Sequence, residues 1–502
     1  MRYQGKKVNI TVTELTRLNE AHRRSIESAD SIDSLLFSYQ GCESQEQKPK
    51  NSKWSILLGC FASLGSIYGD ISTSPLYTFN NLFDNPSQLE VIGAMSILFW
   101  LFTLMVMVKY VLVVISYGSY RDGGGQIAIY SKIVNHLENK SVYDVNDSDE
   151  WIRTISKTVC FIGCSLVISD GLLTPTTSIL NATSGISLPF PTFDHQLALS
   201  VFILFCVFSI QRFGADKLSF LFAPVILLWL VNLGIIGAIN IAKCPVILKA
   251  VNPWYGYLYL KNHGLGGVSA FTLAITGTEA IFLDLGYIEM FPVQLTVCGL
   301  VYPCLMMNYF GQCSYVILNP VSTPNTDSSF VGVFYSSIPG GANSSYYWIV
   351  FILATLSTII ASQALILGVF TVIHQLVELE FLPRLDIIHL SSEHKQMVFI
   401  PAVNFFLMVG LLVTMLIFQN PQDITMAYGL GISLDFLITS VLTLLVLTLV
   451  YKRLLGLTLL VFIPIEIVMV IANYQTLYKG GWFVVIISAL FTSFLFFYDK
   501  ST

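Results

Sequence analysis

Six carboxylates lie in or at the ends of otherwise apolar runs: Asp70, Asp170, Glu279, Asp284, Asp435 and Glu466. A charged side chain at the centre of a bilayer costs about 2.5–3.5 kcal/mol on insertion scales, and more in simulations. Such groups face a cavity, an ion or a partner rather than lipid. No Lys or Arg is read in the middle of any apolar run, so these acids are expected not to be halves of buried ion pairs. Bound cations, protons or water then remain to satisfy them. A carboxyl group in a dry site holds its proton more tightly than one in water, which suits a proton carrier near neutral pH.

Hydroxyls accompany the first three acids. On a helix, Asp170, Thr174 and Ser178 recur every four residues and share one face. Thr276 stands three residues before Glu279, also on one face, and Tyr77 stands seven after Asp70, two turns along. Carboxylate and hydroxyl oxygens are hard ligands, suited to hard cations. Singly, a Ser or Thr in such a helix bonds to its own backbone; only the constellation raises these above that role. Asp70, Asp170 and Glu279 favour a functional role, Asp284 is evenly balanced, and Asp435 and Glu466 are expected to bond to neighbouring helices. No Cys/His ligand cluster competes: Cys160 and Cys164, four apart, read as small packing residues. No nucleophile–base–orienter set is visible, and His374, His389 and His394 read as solvated loop histidines, so an enzyme is not expected.

The elements that must carry these residues are membrane helices. Of 502 residues, 54% are hydrophobic and 11% charged, against about 25% charged in soluble domains. Mean hydropathy is +0.69. The net charge of −5 offers no basic field for nucleic acid. A helix spans a bilayer with about 20 apolar residues. Twelve candidate spans follow: residues 54–79, 91–117, 155–180, 196–210 (short), 218–241, 267–285, 294–318, 346–372, 399–418, 424–450, 454–472 and 482–498. The class is all-α and polytopic. Residues 1–53 are polar, lack the apolar core of a signal peptide and read as a cytoplasmic tail. Residues 54–498 form the transmembrane domain, and residues 499–502 a short cytoplasmic C-terminus without a further cytosolic domain.

Lys and Arg concentrate in the tail and in the 2–3, 4–5, 8–9 and 10–11 connections, and the 7–8 loop has neither, which places both termini inside. The 5–6 loop, with Lys243, Lys249 and Lys261, is the poor fit. The first span contains Gly65, Gly69 and Pro75 around Asp70, and the sixth has Gly277 beside Glu279, with Asp284 and Gly286 following. Two interrupted helices at the head of successive five-helix sets point to an inverted-repeat transporter. At such breaks, freed backbone carbonyls can replace water around a cation.

Several runs carry a resemblance. Residues 68–77 read Tyr-Gly-Asp-Ile-Ser-Thr-Ser-Pro-Leu-Tyr, 170–175 Asp-Gly-Leu-Leu-Thr-Pro, 211–217 Gln-Arg-Phe-Gly-Ala-Asp-Lys, and 276–280 Thr-Gly-Thr-Glu-Ala. With Asn252-Pro253-Trp254-Tyr255, residues 308–312 and 360–364, Leu382-Pro383-Arg384 and Ala427-Tyr428-Gly429, they resemble the KUP/HAK/KT potassium uptake permeases, in family order from about residue 54 to 498. The resemblance implies a LeuT-like inverted-repeat fold of the APC superfamily, with twelve helices and broken helices 1 and 6. It implies a secondary active transporter of the plasma membrane importing potassium with protons, needing no other cofactor; a homodimer is left open. Potassium would sit among Tyr77, Asp170, Thr174, Ser178, Thr276, Glu279 and Tyr428, the last supplied by the resemblance alone. Asp70, Asp170 and Glu279 would serve proton coupling.

Two departures stand out. The family's Gly-Glu-Gly-Gly reads Asp122-Gly123-Gly124-Gly125, with Gln126 in place of a usual Thr, and Asp435 is an unexpected acid. Two other carriers compete. An amino-acid or polyamine carrier on the same scaffold is opposed by the acid at the helix-1 break, which would repel a substrate carboxylate. A potassium channel would need a filter sequence that is absent.

Overall fold

A computed structural model describes residues 53–502 apart from 81, 84, 119–123, 142–146, 194, 212–215, 266, 284, 286–289, 321–331, 390–397, 419–420, 452–455 and 502. Residues 1–52 of the expected tail 1–53, Asp284, Gly286, and the loop residues Arg121, Asp122, Gly123, Arg212, His394, Lys395, Lys452 and Arg453 lie outside the described residues. Contacts divide the chain into Met1–Ile56 and Leu57–Thr502; the candidate site lies wholly in the second.

The described residues are overwhelmingly helical, with one short antiparallel pairing of Ile388–His389 and Val398–Phe399. Eight helices among them are long and apolar enough to cross a membrane. They are Gln88–Gly118, Asp149–Ser187, Phe222–Lys243, Met290–Leu318, Ser345–Glu378, Tyr428–Leu449, Leu460–Tyr478 and Trp482–Ser501. A pair bent by 61°, Lys53–Gly65 with Gly69–Leu76, makes a ninth if counted as one span. The remaining expected stretches are the shorter apolar helices Gln196–Ser209, Val268–Leu283 and Pro401–Ile417. The chain is thus a polytopic helical membrane protein. Large apolar side chains such as Phe406, Leu490 and Phe497 stand 72%, 67% and 76% exposed on outer helices, a surface that needs lipid rather than water.

Local chemistry sets the helix starts. Ser87 accepts from the Glu90 nitrogen while Glu90 accepts from the Ser87 nitrogen, a capping box opening the helix at Gln88. Asn252 caps Pro253–His263, with Pro at the first helical position. Asp147–Thr183 is the hub, packing against Gly125–Ser141, Ser345–Glu378, Pro421–Leu449 and Trp482–Ser501. Asp216–Lys243 and Tyr302–Leu318 meet closely where a β-carbon on Gly311 would fall 2.5 Å from the Gly237 α-carbon. Small residues are what permit such backbone approach in lipid. The second helix widens into π-type turns over Thr103–Val114, a distortion found often at functional sites. His374 departs from expectation: it lies in the helix Ser345–Glu378, 7% exposed, edge-on to His389.

Candidate functional site

The two interrupted helices meet at their breaks. The first runs Gly69–Thr73, tightens into a 3-10 turn at Ser74–Leu76 and stops at Tyr77. In the sixth, a 3-10 turn at Leu273–Ile275 ends at Thr276, Gly277 takes φ +77°, and a new helix runs Thr278–Leu283. A β-carbon on Gly277 would come within 2.6 Å of the Ile71 nitrogen and 2.8 Å of an Asp70 carboxylate oxygen. Only glycine combines that φ with that closeness. Asp70 is 1% exposed, and among the described residues neither of its carboxylate oxygens has a hydrogen-bond partner. Such a group is costly in a dry site unless something absent from the protein itself satisfies it.

Hydroxyls gather beside it. Tyr77 and Ser74 each reach the Thr276 hydroxyl at 2.8 Å. Thr276 in turn donates to the Leu273 carbonyl at 3.0 Å, so it accepts from the other two. Thr73 and Ser178 face each other at 3.5 Å. Thr174 lies 2.9 Å from an Asp170 oxygen and 2.6 Å from the Tyr428 hydroxyl. The four-residue spacing of Asp170, Thr174 and Ser178 therefore places them as expected on the continuous helix Asp147–Thr183, and the charges of Asp70 and Asp170 are close enough to interact.

Two of the break's carbonyls are already taken. The Trp229 indole donates to Ser72 at 2.9 Å, and Gln312 donates to Pro75 at 3.0 Å.

The spacing argument fails on the sixth helix. Because Gly277 breaks it, Thr276 and Glu279 do not share a face: Thr276 joins the hydroxyls, while Glu279 turns elsewhere. Tyr77 likewise leaves the α-helical path at the 3-10 turn and reaches its partners by a tighter route. Glu279 accepts from the Tyr110 hydroxyl and from Thr439 at 3.0 Å. With Asp170 and Asp435 it lines a cavity of about 20 Å³, room for about one water-sized particle. Gln126 donates to Asp435 and contacts Thr439 at 3.4 Å. The two departures in sequence, Gln126 and Asp435, are thus direct partners.

One sequence expectation is overturned. Lys109 lies inside the second apolar run, 0% exposed, and bonds Glu466, also 0% exposed, at 2.5 Å. It donates to the Phe436 carbonyl at 2.8 Å, and Ser440 donates to the same Glu466 oxygen at 2.7 Å. Glu466 is therefore half of a buried ion pair, and the Lys109 charge also reaches Glu279. Against the carboxylates of Asp70, Asp170, Glu279, Asp435 and Glu466, Lys109 supplies one positive charge. The residues sequence reasoning missed are Lys109, Tyr110, Ser74, Thr439 and Ser440. A Lys-Tyr step inside an apolar run was the available signal for the first two.

Comparison with known proteins bears on all of this. Residues 57–502 match the K+ potassium transporter integral membrane domain. The chain is 43% identical over 497 residues to the high affinity potassium transporter of Schwanniomyces occidentalis, covering 90% of this chain and 60% of that protein. It is 33% identical over 507 residues to potassium transporter 23 of Oryza sativa subsp. japonica, covering 93% and 56%. It is 35% identical over 447 residues to the probable potassium transport system protein Kup of Chlorobaculum tepidum, covering 86% and 70%. The chain spans less than two thirds of the length of the first two.

Proposed function

The chain belongs to the potassium transporter family, and from that premise we propose that it imports potassium across the plasma membrane as a potassium–proton symporter. The observation that carries this reading is Asp70: a buried carboxylate at the meeting of two helix breaks, beside hydroxyls, with no protein partner among the described residues. A cation that sheds its water there would find the hydroxyls of Tyr77, Thr174, Ser178, Thr276 and Tyr428 and the carboxylate of Asp170 in replacement. Glu279 belongs to the adjoining cavity and would meet the ion on its way onward. A proton on Asp70, or shared with Asp170 or Glu279, removes the charge that opposes closure of a dry site.

In this proposal twelve helices cross the membrane as two inverted sets, with residues 54–498 as the carrier and residues 1–53 and 499–502 on the cytoplasmic side. The nine long or bent spans together with the three shorter apolar helices support that count. One helix set rocking against the other would expose the site alternately to each side.

The test is complementation of a potassium-uptake-deficient cell on low-potassium medium at two external pH values, with rubidium influx measured in parallel. Growth restored by the chain, with influx that rises as the outside is acidified, is the expected result. Influx that follows membrane voltage alone and ignores the proton gradient would remove the coupling.

A further inference from the structure

A second, larger cavity of about 450 Å³ adjoins the hydroxyl cluster at Tyr77. Tyr77 and Thr425 line its floor, and Glu90 and His263 stand at its rim. Their side chains, 25% and 40% exposed, are 3.3 Å apart. The pair is held in place from both sides. Glu90 sits in the first helical turn, one carboxylate oxygen anchored by the Ser87 nitrogen. The His263 ring stacks on Tyr259, centroids 4.6 Å apart at 22°, and contacts the Tyr259 carbonyl at 3.3 Å. Among the described residues, no charged side chain other than Glu90 and His263 lines this cavity; its remaining polar walls include Asn473, Gln475 and Thr476. Lys249, on the segment packed against this helix, and Lys261, on the helix itself, are exposed and do not line it.

We propose that Glu90 is a collecting site for a hydrated monovalent cation at the mouth of the transport route, and that His263 switches it. The inference rests on the transport reading above, in which these helix ends face outside. With His263 neutral, the Glu90 carboxylate is the one fixed charge on the cavity wall and draws cations toward Tyr77. With His263 protonated, imidazolium and carboxylate pair, and the wall carries no net charge. Histidine is the side-chain type that changes charge between about pH 5 and 8, so acidification outside weakens capture at the rim while it drives a proton-coupled step deeper in. The two effects separate kinetically: the rim governs the KM for the cation, the coupling step governs the maximal rate.

The experiment is rubidium influx by the full chain at external pH 5.5 and 7.5, resolved into KM and maximal rate, for the unaltered chain, His263→Gln and Glu90→Gln. Gln preserves the capping box at position 90, so folding is not at stake there. The unaltered chain should show a KM roughly two- to fivefold higher at pH 5.5, the range an exposed ion pair supports. His263→Gln should hold the low KM at both pH values, and Glu90→Gln the high KM at both. A KM for His263→Gln that still rises on acidification, or a KM for Glu90→Gln equal to that of the unaltered chain at pH 7.5, overturns the switch. A maximal rate indifferent to pH, with the KM pattern intact, overturns proton coupling alone. No influx by the unaltered chain overturns both.

Discussion

Asp70 and Glu466 are buried to the same degree, 1% and 0% exposed, yet are satisfied in opposite ways. Glu466 holds Lys109 and Ser440 through one oxygen. Asp70 holds nothing in the protein through either of its oxygens, among the described residues. A buried ion pair gains little over an apolar replacement, but breaking one partner is severe. A buried carboxylate without a partner costs stability outright. The first arrangement serves architecture, joining the helix Gln88–Gly118 to Pro421–Leu449 and Gly456–Tyr474. The second leaves a carboxylate without a protein partner among the described residues, and in the proposed mechanism a cation or proton would supply that partner. Burial of an acid in a membrane therefore does not by itself point to transport; in the proposed reading it is the absence of an internal partner among the described residues that sets Asp70 apart from Glu466.

The comparison breaks most sharply at Asp70. Asp70→Asn should abolish concentrative rubidium uptake while leaving the yield of folded protein unchanged or improved; full uptake with unaltered proton dependence would take Asp70 out of the mechanism. Lys109→Met should do the reverse, acting first on stability. Leaving Glu466 unpaired costs about 3–5 kcal/mol, readable as a lowered Tm in detergent, and Lys109→Met combined with Glu466→Leu should recover most of it. A double variant as unstable as the single one would mean that Lys109 answers chiefly to Glu279. Gly277→Ala comes next: a side chain at φ +77° beside Ile71 costs about 1–3 kcal/mol in strain, and Tm and uptake should fall together. The smallest effect is expected of Tyr428→Phe. It removes a hydrogen bond to Thr174 with a net value of about 0.5–1.5 kcal/mol, so the rubidium KM should rise by roughly two- to tenfold with Tm nearly unchanged.

What was legible in sequence follows from what periodicity encodes. Asp170, Thr174 and Ser178 lie on one uninterrupted helix, so their spacing translated directly into a shared face. The glycines at 69 and 277 marked the breaks because backbone conformation is a local property. Thr276 and Glu279 misled for the same reason: the glycine that announced the break also ended the helical geometry by which they were paired. Lys109 with Glu466 and Gln126 with Asp435 are joined across more than 300 residues, and no local pattern carries such pairings. Counting basic residues near span centres also failed, because Lys109 stands off-centre and its surroundings are otherwise apolar.

The grip of Trp229 and Gln312 on the first helix break has a mechanical consequence. These two side chains belong to helices whose backbones touch at Gly237 and Gly311, and together they moor the unwound stretch to a stiff double strut. Any swing that opened the pocket would either drag that strut along or strip two buried carbonyls of their donors, at a cost unless new partners replaced them. The hinge is therefore to be sought at the far edges of the strut and not at the break itself.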